Sequence, residues 1–165
     1  MARPILNIEE LEFRPWSRGD KFEAKLGAIG LKLGAQKLGY NLTVLPPGKK
    51  AFPFHNHRVN EEMFFILEGS GEVRIGSERH AIRVGDVIAC PAGGPETAHQ
   101  IVNTSQADLK YLAVSTTLSP DIAEYPDSKK YGVLAQLPNA EGKLESVRFI
   151  THAQATADDY WQGEE

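Results

Sequence analysis

The run from His55 to Glu62, HNHRVNEE, and the later His99 place three of the chain's five histidines within reach of one carboxylate. His55 and His57 are two residues apart, so on a strand both imidazoles leave the same face. Glu62 opens the apolar run MFFIL, which can return beside the first strand as a hairpin. Three neutral imidazoles and one carboxylate make a mixed nitrogen and oxygen donor set, borderline in softness with one hard anion. Such a set suits one divalent transition metal per chain. Manganese, iron, nickel, copper and zinc all accept these ligands, so residue type does not choose among them.

The elements that must position these side chains read as short strands divided by turn chemistry. FEAKLGAIG and QKLGYNLTVL flank the loop LKLGA, and Pro46-Pro47-Gly48 ends the second of them. AFPFHNH and EMFFILEG follow. Gly69-Ser70-Gly71 then turns the chain into EVRIG, Gly76-Ser77 into RHAIRV, and Gly85-Asp86 into VIAC. PAGGPETA reads as an exposed loop and a candidate lid, and HQIVN and LKYLAVST complete an all-β core. After Ser119 the pattern weakens to a proline-interrupted excursion, EYPDSKK. A late strand LESVRFI and a short helical piece near ATADDYW follow.

The punctuation around the histidines resembles that of the cupin superfamily. Gly48, His55, His57, Glu62 and Gly69 match its first motif with one extra residue after Gly48, and Gly85, Pro91, Gly93, His99 and Asn103 match its second. The departure is five residues between Gly93 and His99 where the family pattern has two, a length that a loop tip tolerates. The resemblance implies a cupin-type double-stranded β-helix, or jelly-roll barrel, with N- and C-terminal extensions. One domain would span residues 1–165, with a barrel core at about 20–118 and an extension at 119–165. It also selects Glu62 over Glu61, because six residues separate Glu62 from Gly69. That parity turns Phe64 and Ile66 inward and leaves Met63 and Phe65 outside, where a second subunit or the N-terminal segment must cover them. A homodimer is the expectation.

Composition sets the wider limits. A net charge of −4 without a basic stripe argues against a nucleic-acid or acidic-membrane partner. MARPILNIEE is too short in apolar residues for a signal segment, and no later run approaches a membrane span, so a soluble cytoplasmic protein is expected. Cys90, the lone cysteine, reads as a buried inert thiol at the end of DVIAC. His80 and His152 read as surface histidines, Lys49-Lys50 as a solvated pair, and Tyr125, Asp127 and Lys129 as a charged tail. Trp16 and Trp161 are expected to pin the terminal segments against the barrel.

An ion held this way keeps open positions for a small-molecule ligand or substrate. The chain resembles single-domain bacterial cupins, some labelled sugar-phosphate isomerases, which implies a metal-binding protein acting on or binding a small polar metabolite. The alternatives are a non-catalytic sensor or carrier and a metal-dependent dioxygenase. No residue outside the ligand set has a spacing that demands the role of catalytic acid or base.

Overall fold

Strand-forming alternation dominates the computed structural model, which describes residues 4–152. In chain order the strands are β1 (Phe13–Arg18), β2 (Phe22–Ala28), β3 (Leu38–Leu45), β4 (Asn56–His57), β5 (Glu62–Glu68), β6 (Ser70–Ile75) and β7 (Glu78–Arg83). They continue as β8 (Val87–Cys90), β9 (His99–Val102), β10 (Leu109–Thr116), β11 (Asp121–Tyr125), β12 (Lys130–Pro138) and β13 (Leu144–His152). One helical turn, α1 (Gly30–Leu33), fills the expected LKLGA loop. The helical piece expected near ATADDYW and Trp161 lie outside the described residues.

A six-stranded antiparallel sheet runs β1-β2-β3-β10-β5-β8. A three-stranded sheet, β7-β6-β9, and a four-stranded sheet, β13-β12-β11-β4, meet through an antiparallel bridge between His55 and His99, so together they form the opposite wall of a jelly-roll barrel. Phe64, Ile66, Ile88, Leu45, Leu109 and Tyr111 of the large sheet pack against Val73, Ile82 and Ile101 of the three-stranded one. On β5, Phe64 and Ile66 are buried whereas Met63, Phe65 and Leu67 are half-buried, the parity expected for a strand with Glu62 facing inward.

The last four residues of β3 are all buried, because that strand is covered on both faces. Leu45 joins the barrel interior, and Leu42 points outward into a cluster with Leu11 and Ile29, flanked by Leu6, Phe13, Leu33 and Leu112. The N-terminal segment and α1 therefore seal part of the outer face. Trp16 on β1 packs on the interior cluster and stacks on Phe52 at 5.7 Å between ring centroids.

Two motif residues act through the backbone. Gly69 has φ +79°, and a Cβ there would run into the Asp108 carbonyl, so the β5–β6 turn requires glycine. Asn103 is fully buried; its amide donates to the carbonyls of Leu45 and Ala107 and its Oδ1 accepts from Ser105, which closes the β9–β10 connection.

Several elements differ from the sequence expectation. AFPFHNH is strand only at Asn56–His57, since the bends before it deliver His55 to β9. β1 was not expected, and the excursion after Ser119 is instead β11 and β12. Leu42→Ala should destabilise the fold by about 2–5 kcal/mol, because it opens a cavity between the sheet and its N-terminal cover. Urea denaturation reads this, and the barrel interior, untouched by the change, should keep its native near-ultraviolet dichroism in the folded state.

Candidate metal centre

Three elements converge on one carboxylate. Glu62, at the start of β5, presents its Oε2 to His99 Nε2 at 2.8 Å, His55 Nε2 at 3.7 Å and His57 Nε2 at 3.8 Å. His55, Glu62 and His99 form a group that could hold a metal ion, with ligand atoms all within 4.8 Å of one another. His57 falls outside that tightest group but turns the same nitrogen toward the same oxygen.

The remaining ring nitrogens explain why the rings point this way. His55 Nδ1 lies 2.8 Å from the Pro53 carbonyl, His99 Nδ1 3.3 Å from the Thr97 carbonyl, and His57 Nδ1 2.6 Å from Asp121 Oδ2. Carbonyl and carboxylate oxygens only accept, so each Nδ1 carries a proton; His55 and His57 then turn an Nε2 lone pair inward, and His99 Nε2, which donates to Glu62 in the metal-free protein, does the same once that proton leaves. Three oriented Nε2 atoms around one carboxylate fit a divalent ion in both donor type and tautomer.

Asp121 was not anticipated. It is 1 % exposed, its Oδ1 accepts from the backbone N–H of Val59 at 3.0 Å, and its Oδ2 orients His57. Burial works against its charge, but hydrogen bonds from Asn60 and His57 outweigh this and lower its pKa. Tyr125, two residues beyond Ala123 on the same face of β11, stacks on His55 at 6.1 Å. The alternation in DIAEY is the signal that could have placed Asp121 and Tyr125 together on an inward face. Asp127 receives two hydrogen bonds from Arg74, whose guanidinium lies 3.6 Å from the Phe54 ring centroid. The expected charged tail is thus fastened to the barrel mouth.

Other expectations resolve plainly. Glu61 is exposed, His80 pairs with Glu78 on the surface, and His152 is exposed at the end of β13. Lys49 is held by Asp20 and Glu23. Cys90 is buried and free. PAGGPETA is latched rather than open: Gly93 N–H donates to the His57 carbonyl, Asn56 Nδ2 donates to the Gly93 carbonyl, and Gly76 N–H donates to the Ala98 carbonyl.

The cavity in front of the cluster has a volume of about 280 Å³, with His57, Glu62, Asp121, Leu134, Gln136 and Arg148 among its lining residues. No helix among the described residues is long and apolar enough to cross a membrane.

A jelly-roll barrel with inward-turned histidines and a glutamate at its mouth is similar to the cupin architecture that the motif resemblance implies. Residues 41–115 match the family model described as a cupin domain. An oxalate-binding protein of Thermotoga maritima is 36% identical over 70 residues, 42% of this chain and 54% of that protein. An uncharacterised protein of Methanocaldococcus jannaschii is 36% identical over 72 residues, 44% of this chain and 54% of that one. The chain therefore spans about half the length of the curated relatives it matches. Among solved structures, a sugar phosphate isomerase of the cupin superfamily from Silicibacter pomeroyi superposes with a TM-score of 0.75 at 25% identity, covering 92% of this chain and 94% of that one. A predicted oxalate decarboxylase from Thermotoga maritima superposes with a TM-score of 0.60 at 27% identity, covering 69% of this chain and 99% of that one.

Protonation couples the cluster to pH. Burial opposes a charge on His99, but its contacts with Cys90 and the Glu62 carboxylate outweigh burial and raise its pKa to about 10. Burial and the neighbouring His99 lower His55 to about 4. Burial would raise Glu62, but the His99 hydrogen bond together with the charge interactions of His99, His55 and His57 pulls it below its ordinary value. In the metal-free protein the raised His99 value stabilises the fold fully below about 6.5, and that contribution is lost as pH rises through about 10. His99 must also surrender a proton before its Nε2 can act as a ligand. Metal affinity should therefore climb about tenfold per pH unit between about pH 6 and 9, instead of levelling above the ordinary histidine range. Calorimetric titration with manganese in buffers of different ionisation enthalpy should register about one proton released per ion, and Asp121→Asn should weaken binding about 10–100-fold.

Proposed function

We propose that this chain binds one divalent transition metal through His55, His57, Glu62 and His99 and acts on a small sugar phosphate or related hydroxy-carbonyl compound, as an aldose–ketose isomerase. The observation that carries this reading is the convergence of three tautomer-fixed Nε2 atoms on Glu62 at the wall of an accessible cavity. A bound ion would supply Lewis acidity toward a carbonyl oxygen. The chain's own residues do the rest. Pro53, Thr97 and Asp121 hold the rings in register, Tyr125 covers the His55 face, and Leu134 keeps one side of the cavity dry. A volume of about 280 Å³ falls just below the range of about 300–1,000 Å³ common for drug-sized ligands, which favours a small metabolite. The Silicibacter protein named a sugar phosphate isomerase shares nearly the whole length of this chain, whereas the oxalate-related structure shares 69% of it, and this supports the isomerase reading over an oxalate one.

A second reading, a non-catalytic sensor or carrier, is favoured by a different observation. Both carboxylates lining the cavity are committed to histidines, Glu62 to His99 and Asp121 to His57. Neither stands ready as a base in the metal-free arrangement.

We also propose a cytoplasmic homodimer. Val87 on β8 lies beside Phe65 in the sheet register and is 66% exposed, and Met63 and Phe65 are only half-buried. Their shared outer face continues from the sealed Leu42 cluster and would bury apolar area against a second copy. Light scattering at micromolar concentration should give twice the chain mass, and Val87→Glu should return it to one.

The function is tested with pentose and tetrose phosphates on manganese-loaded and metal-free protein. A ligand at a hundredfold above its Kd should raise the Tm by about 5–10 °C in the loaded protein and by much less at the same concentration in the metal-free protein, where the cluster cannot take its share of the ligand. Aldose–ketose conversion followed by proton NMR establishes the isomerase. Binding without conversion establishes the carrier, and oxygen consumption by the ferrous form establishes a dioxygenase.

A further inference from the structure

The C-terminal hairpin lies outside the matched cupin domain, yet it supplies one wall of the cavity. Strand pairing sets its register. Asp121 on β11 stands opposite Leu134 on β12, and Leu134 stands opposite Arg148 on β13. Residues directly opposite in antiparallel strands share a face, so the row Asp121, Leu134, Arg148 runs from the His57 anchor to the edge strand along the cavity side. With strands spaced about 4.8 Å apart, the Arg148 backbone sits about 10 Å from that of Asp121. The adjacent row pairs Gln136 with Ser146, and Gln136 Nε2 donates to Ser146 Oγ at 2.7 Å. All five of these side chains line the cavity.

Among the described residues that line the cavity, Arg148 is the only lysine or arginine. The two carboxylates lining the same cavity are already hydrogen-bonded to histidines, Asp121 to His57 and Glu62 to His99. Arg148 is exposed and stands without an ion-pair partner among the described residues, in contrast to Arg58, Arg74 and Arg79, which each hold a carboxylate. An unpaired guanidinium at the far end of a small cavity is suited to a planar, bidentate oxyanion.

We propose that Arg148 reads a second oxyanion on the ligand, a phosphate monoester or a carboxylate, at the end opposite the group that meets the Glu62 cluster. The cavity then has two positive poles, one at the cluster when it holds its ion and one at Arg148, joined by the apolar Leu134 and the Gln136–Ser146 pair. A four- or five-carbon hydroxy compound with an anionic terminus spans them. This inference rests on the proposed function in taking the cluster as the other pole, and it adds that the hairpin, not the barrel, selects for the charged terminus.

Three probes with the same carbon count test it by calorimetry on manganese-loaded protein: erythronate, tartrate and 4-phosphoerythronate. Each has a hydroxy-acid end for the cluster, and they differ at the far end in carrying a hydroxymethyl, a carboxylate or a phosphate. Wild type should bind at least one of the two charged-terminus probes about tenfold or more tighter than erythronate. Whichever gains more identifies the terminus. Arg148→Gln should shrink that preference below about threefold with metal stoichiometry intact, and Arg148→Lys should keep part of it. The side chain is exposed, so both variants should fold, and far-ultraviolet dichroism checks this. An unchanged preference in Arg148→Gln, or none in wild type, overturns the inference. Erythronate binding that ignores the metal would instead overturn the proposed function. Arg148 is then read independently on metal-free protein, where inorganic phosphate should raise the Tm of wild type but not of Arg148→Gln; equal shifts in both overturn the inference there too.

Discussion

A carboxylate held inside a barrel must be compensated, and in this protein the compensation of Glu62 organises everything around it. Its side chain is 20% exposed, and the nearest cationic partner is His99, which is almost wholly buried. Neither charge is tolerable alone in that setting. Keeping them together requires β5 and β9 to deliver their first residues to the same point from opposite walls of the barrel. It also requires the bends before β4 to bring His55 against β9. The latched loop Pro91–Ala98 belongs to the same constraint, because it joins the end of β8 to His99 and is tied back to the His57 carbonyl.

Rigidity at this point comes from oxygen atoms that can only accept. A carbonyl of Pro53, a carbonyl of Thr97 and the carboxylate of Asp121 each hold one Nδ1. Two of these are backbone groups of the matched cupin domain, but the third arrives from β11, outside it. The barrel and the C-terminal strands are therefore not separable at the site: remove β11 and His57 loses the partner that fixes its tautomer.

How much of this was legible in the sequence follows from how local each signal is. The Glu62 parity was readable because glycine spacing and strand alternation act over a few residues, and Phe64 and Ile66 are buried as that parity requires. Asn103 was visible as a motif residue, though its work, satisfying the carbonyls of Leu45 and Ala107, depends on a contact 58 positions away. Asp121 and Tyr125 carried only the short alternation of DIAEY, which puts them on one face without saying what that face meets, and Arg148 carried no local mark. Each is an ordinary strand residue made relevant only by register with distant strands, and Pro120, Pro126 and Pro138 punctuated the segment so that it read as an irregular tail. PAGGPETA misled in the other direction, since its glycines and prolines suggest an open lid. In the fold its backbone hydrogen bonds are taken by His57, Asn56 and Gly76, and the wall that borders the cavity is the β12–β13 hairpin.

The clasp between Arg74, Phe54 and Asp127 gives that hairpin a mechanical character. Arg74 is gripped from two sides, by an aromatic ring beneath and a carboxylate beside it, at the turn where β11 passes into β12. The turn at the other end of β12, around Asn139, is closed, among the described residues, by its own backbone and side-chain bonds. The hairpin is a cantilever: clamped at its root next to Tyr125 and His55, and free at its tip. A load applied near the tip bends the β12–β13 wall of the cavity and reaches the histidines last, because the clasp stands between the tip and the cluster.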